Sequence, residues 1–133
     1  MKRIFFLLFL FLFVTACAAG TDLPEGFDEE TVRTASEEAL DMLHNKDTEG
    51  LRERMTDEMR ESLHDEAMEQ VYVFLDDAGA FDTVEDIEMG SATHKESNQE
   101  LAICALKAKH EEKSITYTLS FTEDMKIAGL FLR

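Results

Sequence analysis

The spacing of apolar residues changes once along this chain, near Gly79, and that change limits the folds open to it. Before Gly79, apolar residues such as Val32, Ala35 and Ala39 recur at intervals of three and four, which is typical of amphipathic helices. After Gly79, residues 114–121 alternate strictly between apolar and polar side chains, which indicates a strand. Helices followed by strands predict an α+β domain, with N-terminal helices packed on one face of a curved, four-stranded antiparallel meander.

Capping and turn residues predict where these elements begin and end. The predicted helices begin near Asp28, Asp47, Thr56 and Asp65. Gly79 is well placed to end the last helix, because glycine readily adopts the backbone conformation that follows a helix. The predicted strands include Ile87 with Met89, then residues 101–110, 114–121 and 125–132.

The N-terminus has the pattern of a secretory signal peptide. Lys2 and Arg3 precede an apolar run over residues 4–14, and small residues follow. Eleven helical residues span only about 16 Å, whereas the hydrocarbon core of a bilayer is about 30 Å thick. A membrane-spanning helix is therefore not expected here.

The sequence Val14-Thr15-Ala16-Cys17 ends this segment and resembles the lipobox of bacterial lipoproteins. The resemblance implies that Cys17 receives a diacylglyceryl group and that the chain is cut just before it. Residues 1–16 are then the signal peptide, residues 17–27 the lipidated cysteine and a short tether, and residues 28–133 a single domain. The alternative is an ordinary cleaved signal with a chance cysteine.

Lipid on Cys17 would hold the protein at a membrane, since two acyl chains give stable anchoring. Ala18 follows the cysteine, so the aspartate that retains lipoproteins at an inner membrane is absent. The expected location is the extracytoplasmic side of the cell membrane, or the outer membrane where the cell has two.

The acidic composition excludes several classes of partner. Without residues 1–16, the chain has 11 Lys and Arg against 29 Asp and Glu, a formal charge of −18. Nucleic acid requires a basic surface, and anionic lipid would repel such a protein. The paired acids predict a solvated surface, and a specific cationic partner is the alternative.

Cysteine usage leaves the domain without an internal disulfide. If lipid modifies Cys17, only Cys104 remains. Cys104 lies in an apolar strand pattern, so we expect a small buried residue rather than a reactive thiol, which is the alternative.

Four short motifs are spread along the domain in a fixed order. They are Asn45-Lys46-Asp47, the apolar set Met55, Met59 and Leu63, then Gly79-Ala80-Phe81, and finally Ile127-Ala128-Gly129-Leu130. In this order they resemble the small bacterial domains named domain of unknown function 3887. That family is placed in the nuclear transport factor two-like, or cystatin-like, cone fold. The resemblance implies helices that close a bent sheet around an apolar pocket, and it implies no catalytic residues.

Three side chains are candidates for lining that pocket. His110 shares strand parity with Cys104, which directs it towards the helices, although it could instead be a partly exposed residue at the strand end. Tyr72 and Tyr117 lie on apolar faces and could supply a hydroxyl group, or they could be core residues with a solvated tip. His44 and His64 fall near helix ends and are expected at the surface. No histidine pair has a metal-ligand spacing, so no metal, cofactor or catalytic residue is predicted.

The leading functional hypothesis is a non-catalytic binding or accessory module of the cell envelope, with a small apolar pocket for a small apolar ligand or an envelope protein. The first alternative is an isomerase or dehydratase that uses a pocket carboxylate and a tyrosine, as ketosteroid isomerase does. A structural or assembly role is the second alternative.

The last strand is apolar on both faces, which is unusual for a sheet with one solvated face. Simple alternation directs Ile127 and Phe131 to the core, and Leu130 and Leu132 to the outer face. This predicts a weak homodimer through the last strand. The alternative is that residues 80–95 or the segment near the anchor cover that face.

Overall fold

A computed structural model describes residues 23–133, and the predicted signal peptide and Cys17 lie outside this range. The four helices are α1 Glu29–His44, α2 Thr48–Glu53, α3 Asp57–Ser62 and α4 Asp65–Ala78. The four strands are β1 Phe81–Thr93, β2 Glu100–His110, β3 Ser114–Phe121 and β4 Ile127–Leu132. The strands form one antiparallel sheet in the order β1-β2-β3-β4. This arrangement confirms the predicted α+β fold.

Each helix begins at a side chain that accepts a hydrogen bond from the backbone of the first turn, which satisfies one of the unpaired N–H groups there. The four N-caps are Asp28, Asp47, Thr56 and His64. The first three were predicted. The cap of α4 is the imidazole of His64, one residue before the predicted Asp65.

Gly79 ends α4 and lets the β2–β3 turn approach the helix. Its φ of 86° lies in the left-handed region that favours glycine. A Cβ atom at this position would lie 2.7 Å from the Cβ atom of Glu111 in that turn. The backbone amide of Glu111 donates to Ala80, and the Ala80 amide donates back to the Glu111 carboxylate. These bonds fix the turn against the end of α4.

The hydrophobic core lies between the helices and one face of the sheet. The buried side chains of β2 and β3 alternate along each strand as the sequence predicts: Ala102, Cys104, Leu106, Ala108, Ile115, Tyr117, Leu119 and Phe121. They pack against buried side chains of the helices, including Val32 and Leu43 of α1. Burial also raises the pKa of the Cys104 thiol, which agrees with a structural role for this residue.

Strand β1 begins earlier than the sequence indicates, at Phe81. Two register shifts, between Phe81 and Thr83 and between Val84 and Asp86, interrupt its alternation. Bulges of this kind place an extra residue in one strand and hide its period from a sequence analysis. Since β1 is at the opposite edge of the sheet from β4, it does not pair with the last strand.

Strand β4 contains a bulge that changes which side chains face the core. Phe121 pairs with Ile127, but Ser120 pairs with Gly129, so Ala128 is an extra residue. After Ala128, Leu130 lies opposite the buried Leu119, whereas Phe131 is 58 % exposed. The prediction that Leu130 and Leu132 face outward while Phe131 faces the core is therefore wrong. The physical reason is that one inserted residue reverses strand parity.

Candidate functional site

Three polar rings meet where α1 ends, at the edge of the apolar core. His44 is the last residue of α1, His110 is the last residue of β2, and Tyr117 lies within β3. Strand parity turns His110 and Tyr117 towards the helices, and both are buried. The C-terminus of α1 brings the half-buried His44 to the same point.

The hydroxyl group of Tyr117 connects the two imidazole rings. Its oxygen lies 2.7 Å from Nε2 of His110 and 3.1 Å from Nε2 of His44. Nδ1 of His110 lies 3.0 Å from the carbonyl oxygen of Gly79. A carbonyl oxygen can only accept, so Nδ1 of His110 donates to it. With a neutral ring, Nε2 of His110 then accepts from the Tyr117 hydroxyl, and the Tyr117 oxygen accepts from Nε2–H of His44.

The surroundings favour the neutral forms of His44 and Tyr117. Burial lowers the pKa of His44, and the nearby His110 lowers it further, while Asp41 has a smaller opposing effect. Burial raises the pKa of the Tyr117 hydroxyl above its ordinary value. His44 therefore resists protonation and Tyr117 resists ionisation, which keeps the chain of hydrogen bonds in one direction.

Phe81 covers the network from the β1 side. Its ring stacks on His44 with centroids 4.5 Å apart, and it meets His110 edge to face at 5.8 Å. A cleft of about 280 Å³ opens beside these rings. Lys46 and Asp76 form an ion pair of 3.2 Å at its rim. The cleft is therefore bounded by aromatic, apolar and hydrogen-bonding groups.

The structure brings together two of the three predicted pocket residues. His110 lines the cleft, and Tyr117 lies behind it with no exposed surface. Tyr72 is not part of the network, because its hydroxyl group is bonded to Thr48 at 2.6 Å. The ring of Tyr117 is fully buried and packs in the core at this point.

His44 and Phe81 are the site residues that sequence reasoning missed. The expectation that His44 lies at the surface is wrong, since it is half-buried and bonded to Tyr117. A signal was present in the sequence, because His44 follows the buried Leu40 by four residues and lies on the apolar stripe of α1. In the sequence, Phe81 is distinguished only as part of the motif Gly79-Ala80-Phe81.

Other parts of the described chain offer less chemistry. A larger groove of about 400 Å³ lies beside the N-terminal half of α1, next to Phe121 and Ile127. Its charged groups include Glu38 and Arg54, which pair with each other. Within residues 23–133, no cluster of three metal-ligating side chains occurs. We therefore take the cleft beside His44 and His110 as the candidate site, although it is the smaller one.

No helix among residues 23–133 has both the length and the apolar composition needed to cross a bilayer.

This is an α+β domain with helices over a four-stranded antiparallel sheet. A family model described as Protein of unknown function (DUF3887) matches residues 36–130, and the chain belongs to that family. This confirms the resemblance drawn from the four motifs.

A solved structure has the same arrangement. The NMR structure of a protein from Ruminococcus gnavus ATCC 29149 is similar, with a TM-score of 0.73 and 28 % sequence identity. The similarity covers 84 % of this chain and 96 % of that one. No curated protein matches the sequence.

Proposed function

We propose that this protein is an extracytoplasmic lipoprotein whose domain binds a small ligand, without catalysis, in the cleft beside His44 and His110. The observation that carries the proposal is the oriented network of His44, Tyr117 and His110 beside an open cleft. Ligand sites typically combine apolar walls with a few fixed polar groups. Membership of the nuclear transport factor two-like superfamily is part of the same proposal, supported by helices closing on one face of the sheet.

The polar groups of the cleft suggest the class of ligand. His44 is held neutral and donates through Nε2, so its Nδ1 remains an acceptor. Phe81 lines the cleft and is 39 % exposed, so its ring can contact an apolar group. The ligand we propose has a small apolar body and a hydrogen-bond donor, such as an amine or a hydroxyl. The acidic composition of the domain would raise the local concentration of an amine.

The lipid anchor would place the cleft away from the bilayer. The tether enters at the N-terminus of α1, and the cleft lies at the other end of this 16-residue helix. At 1.5 Å per residue the two ends are about 24 Å apart. A ligand in the periplasm or outside the cell would therefore have access to the site.

The enzyme alternative needs a carboxylate beside a tyrosine. In the part of the chain that the structure describes, the buried polar residues are Ser36, His110 and Thr122, and the partners of Tyr117 are two imidazole rings. The geometry therefore favours binding over that reaction type.

Native mass spectrometry of the full chain, extracted from its own membranes, tests both parts of the proposal. We expect a diacylated N-terminal cysteine at position 17 and a bound small molecule. The bound mass should be lost in His44→Ala and in Phe81→Ala, and kept in Val73→Ala, which alters an exposed residue away from the cleft. An unmodified N-terminus would overturn the anchor, and equal retention by all three variants would overturn the site.

A further inference from the structure

The edge of β4 has unpaired backbone groups. Thr116 and Arg133 exchange two backbone hydrogen bonds, of 2.9 Å and 3.2 Å. In an antiparallel pair such residues alternate with residues whose N–H and C=O groups point away from the partner strand. Leu130 and Leu132 therefore direct their backbone groups to the open edge. No hydrogen bond within residues 23–133 occupies these groups.

This edge is complementary to itself about Phe131. The open groups belong to the residues on either side of Phe131, and two copies of such a strand run antiparallel when a two-fold axis relates them. With the axis at Phe131, Leu130 of each copy exchanges two backbone hydrogen bonds with Leu132 of the other. This register pairs every open N–H and C=O group of the four leucines.

The start of the edge is already occupied, and this limits the register. Ile127 donates to the carbonyl oxygen of Arg54 and accepts from the amide of Thr56. With the axis at Phe131, residues 129–133 of one copy pair with the same residues of the other and lie clear of this bridge. An axis nearer to Ile127 would bring the second strand against it.

The side chains of this edge are apolar on both faces of the sheet. Phe131 is 58 % exposed and lies on the outer face, where it is paired with Thr118. In the two-fold arrangement the two Phe131 residues are directly opposite without hydrogen bonds between them, and their Cβ atoms lie about 4.5–5.5 Å apart. Each ring therefore covers the other. On the inner face, Leu130 and Leu132 border an apolar groove of about 220 Å³ beside α4.

The acidic residues of the chain avoid this edge. The sequence has 29 Asp and Glu, yet residues 114–122 and 125–133 contain none. Among residues 23–133, no charged side chain lines the groove, and the nearby Lys113 lies over the ring of Phe74. Two copies therefore meet here without placing acids against acids. The other acids repel at longer range, and added salt screens that repulsion.

The size of the contact fits a weak pair. β4 has six residues, whereas a standard interface has about 20–30 residues on each side. The strand and the groove residues of α4 together fall short of that number. Two copies anchored to one membrane, as proposed above, would meet at a raised local concentration, which favours weak pairing.

We infer that two copies of this chain pair antiparallel through their β4 edges, about a two-fold axis at Phe131, and join their two sheets into one. Leu130 and Leu132 supply the backbone hydrogen bonds, and the Phe131 rings cover each other on the outer face. This interface is separate from the His44 cleft and does not depend on a ligand there.

Disulfide trapping of the full chain in detergent tests the position of the axis. Phe131→Cys places the thiols of two copies directly across it, at a separation close to that of a disulfide, so oxidation should link the copies. The control is Lys107→Cys, an exposed position on β2. At about 4.8 Å per strand, residue 107 of one copy lies at least about 24 Å from residue 107 of the other. The wild type gives the background from Cys17 and the buried Cys104. Equal linkage of the two variants would overturn the proposal.

Mixed variants test the register. Residues 129 and 133 flank Phe131 at equal distance, so residue 129 of one copy faces residue 133 of the other. Gly129→Cys mixed with Arg133→Cys should therefore give linked dimers. Each variant alone should stay unlinked, because its two thiols lie four residues apart along the strands, about 13 Å. Linkage of the single variants as strong as that of the mixture would overturn the register.

Leu130→Pro tests the backbone pairing against Leu130→Ala. Proline removes the N–H group that points to the open edge and is tolerated in edge strands, whereas alanine keeps that group. Each copy loses one hydrogen bond across the interface, so sedimentation should show self-association at least about tenfold weaker for the proline variant than for the alanine variant. Equal association of the two variants would overturn strand pairing, as would a wild type that stays monomeric at low and at moderate salt.

Hydrogen exchange distinguishes a second copy from another segment of the same chain. We expect the amides of Leu130 and Leu132 to exchange fast in dilute protein and more slowly as the protein concentration rises. Slow exchange at every concentration would overturn the proposal, because the same chain would then cover its own edge.

Discussion

The two ends of α1 cover very different parts of the same sheet. Beside its N-terminal half, the sheet contributes Phe121 and Ile127, both almost fully buried and both apolar. At its C-terminus, the equally buried layer contains His110 and Tyr117, and α1 adds His44. An apolar end gains stability from burial alone. A polar end must first offset the cost of removing its groups from water.

The polar end offsets that cost through complete pairing. Nε2 of both histidines and the Tyr117 hydroxyl share two hydrogen bonds, and Gly79 accepts the third. Within residues 23–133, no buried side-chain nitrogen or oxygen lacks a partner. Apolar residues could fill this volume without such precise geometry. The apolar end of α1 therefore mainly stabilises the fold, whereas the residues at its polar end are also suited to binding.

Truncation at the apolar end should have the largest effect. Phe121→Ala removes a buried ring from a well-packed layer, and we expect a loss of about 3–5 kcal/mol in the free energy of unfolding. Urea denaturation of the full chain in detergent measures it. Phe131→Ala is the control on the neighbouring strand. Because Phe131 is mostly exposed, this variant should lose only about 0.5 kcal/mol in the free energy of unfolding. Equal costs would show that the parity of β4 is misassigned.

Removal of one hydroxyl group should have a smaller effect at the polar end. Tyr117→Phe leaves Nε2 of both His44 and His110 without their common partner, and we expect a cost of about 1–3 kcal/mol. Tyr72→Phe also removes one hydroxyl, but that group is bonded only to Thr48 near the surface. The Tyr72 variant should therefore cost less. A Tyr117→Phe protein as stable as the wild type would mean that the network adds nothing to folding.

The sequence predicted the apolar end better than the polar end, for physical reasons. The strict alternation of β3 and the helix caps of α1 to α3 depend only on residues close together in the sequence. Local sequence patterns can therefore predict them. The bond between His44 and Tyr117 joins residues 73 positions apart, and no local spacing records such a contact. The parity of His110 did predict its direction, but not its partners.

Bulges account for the other differences. Two irregularities in β1 and the extra Ala128 in β4 each change strand parity. If strict alternation is assumed to continue past Ala128, every later side chain is assigned to the wrong face of the sheet. In β4 the bulge decides which apolar residues are buried: Leu130 and Leu132 pack on the core, and Phe131 takes the exposed position.

Acidification should weaken the polar end selectively. Because the pKa of His44 is lowered in the folded state, the unfolded chain binds a proton more readily below the ordinary histidine pKa of about 6.5. His44 contributes its full stabilisation above about pH 6.5. This contribution is lost as the pH falls from there towards the pKa of His44 in the folded protein. Stability curves at pH 7.5 and 5.5 measure this loss. It should shrink in His44→Gln, and a loss of unchanged size in that variant would contradict this prediction.

The smallest expected effect tests the outer face of the sheet above the apolar end. A Cβ atom at Gly129 would lie 3.0 Å from Oγ and 3.4 Å from Cβ of Ser120 on β3, with no other contact. Gly129→Val should therefore cost about 1 kcal/mol, at the low end for crowding, because only one small side chain must move. Ser120→Ala removes the nearer atom, so the same substitution in that background should cost about 0.5–1 kcal/mol less. Thermal unfolding of the four proteins of this double-mutant cycle measures the coupling.

Two outcomes would contradict this account of Gly129. Purely additive effects would mean that the backbone of the bulge, rather than Ser120, requires glycine at this position. A cost as large as that of Phe121→Ala would mean that the outer face is packed as tightly as the core.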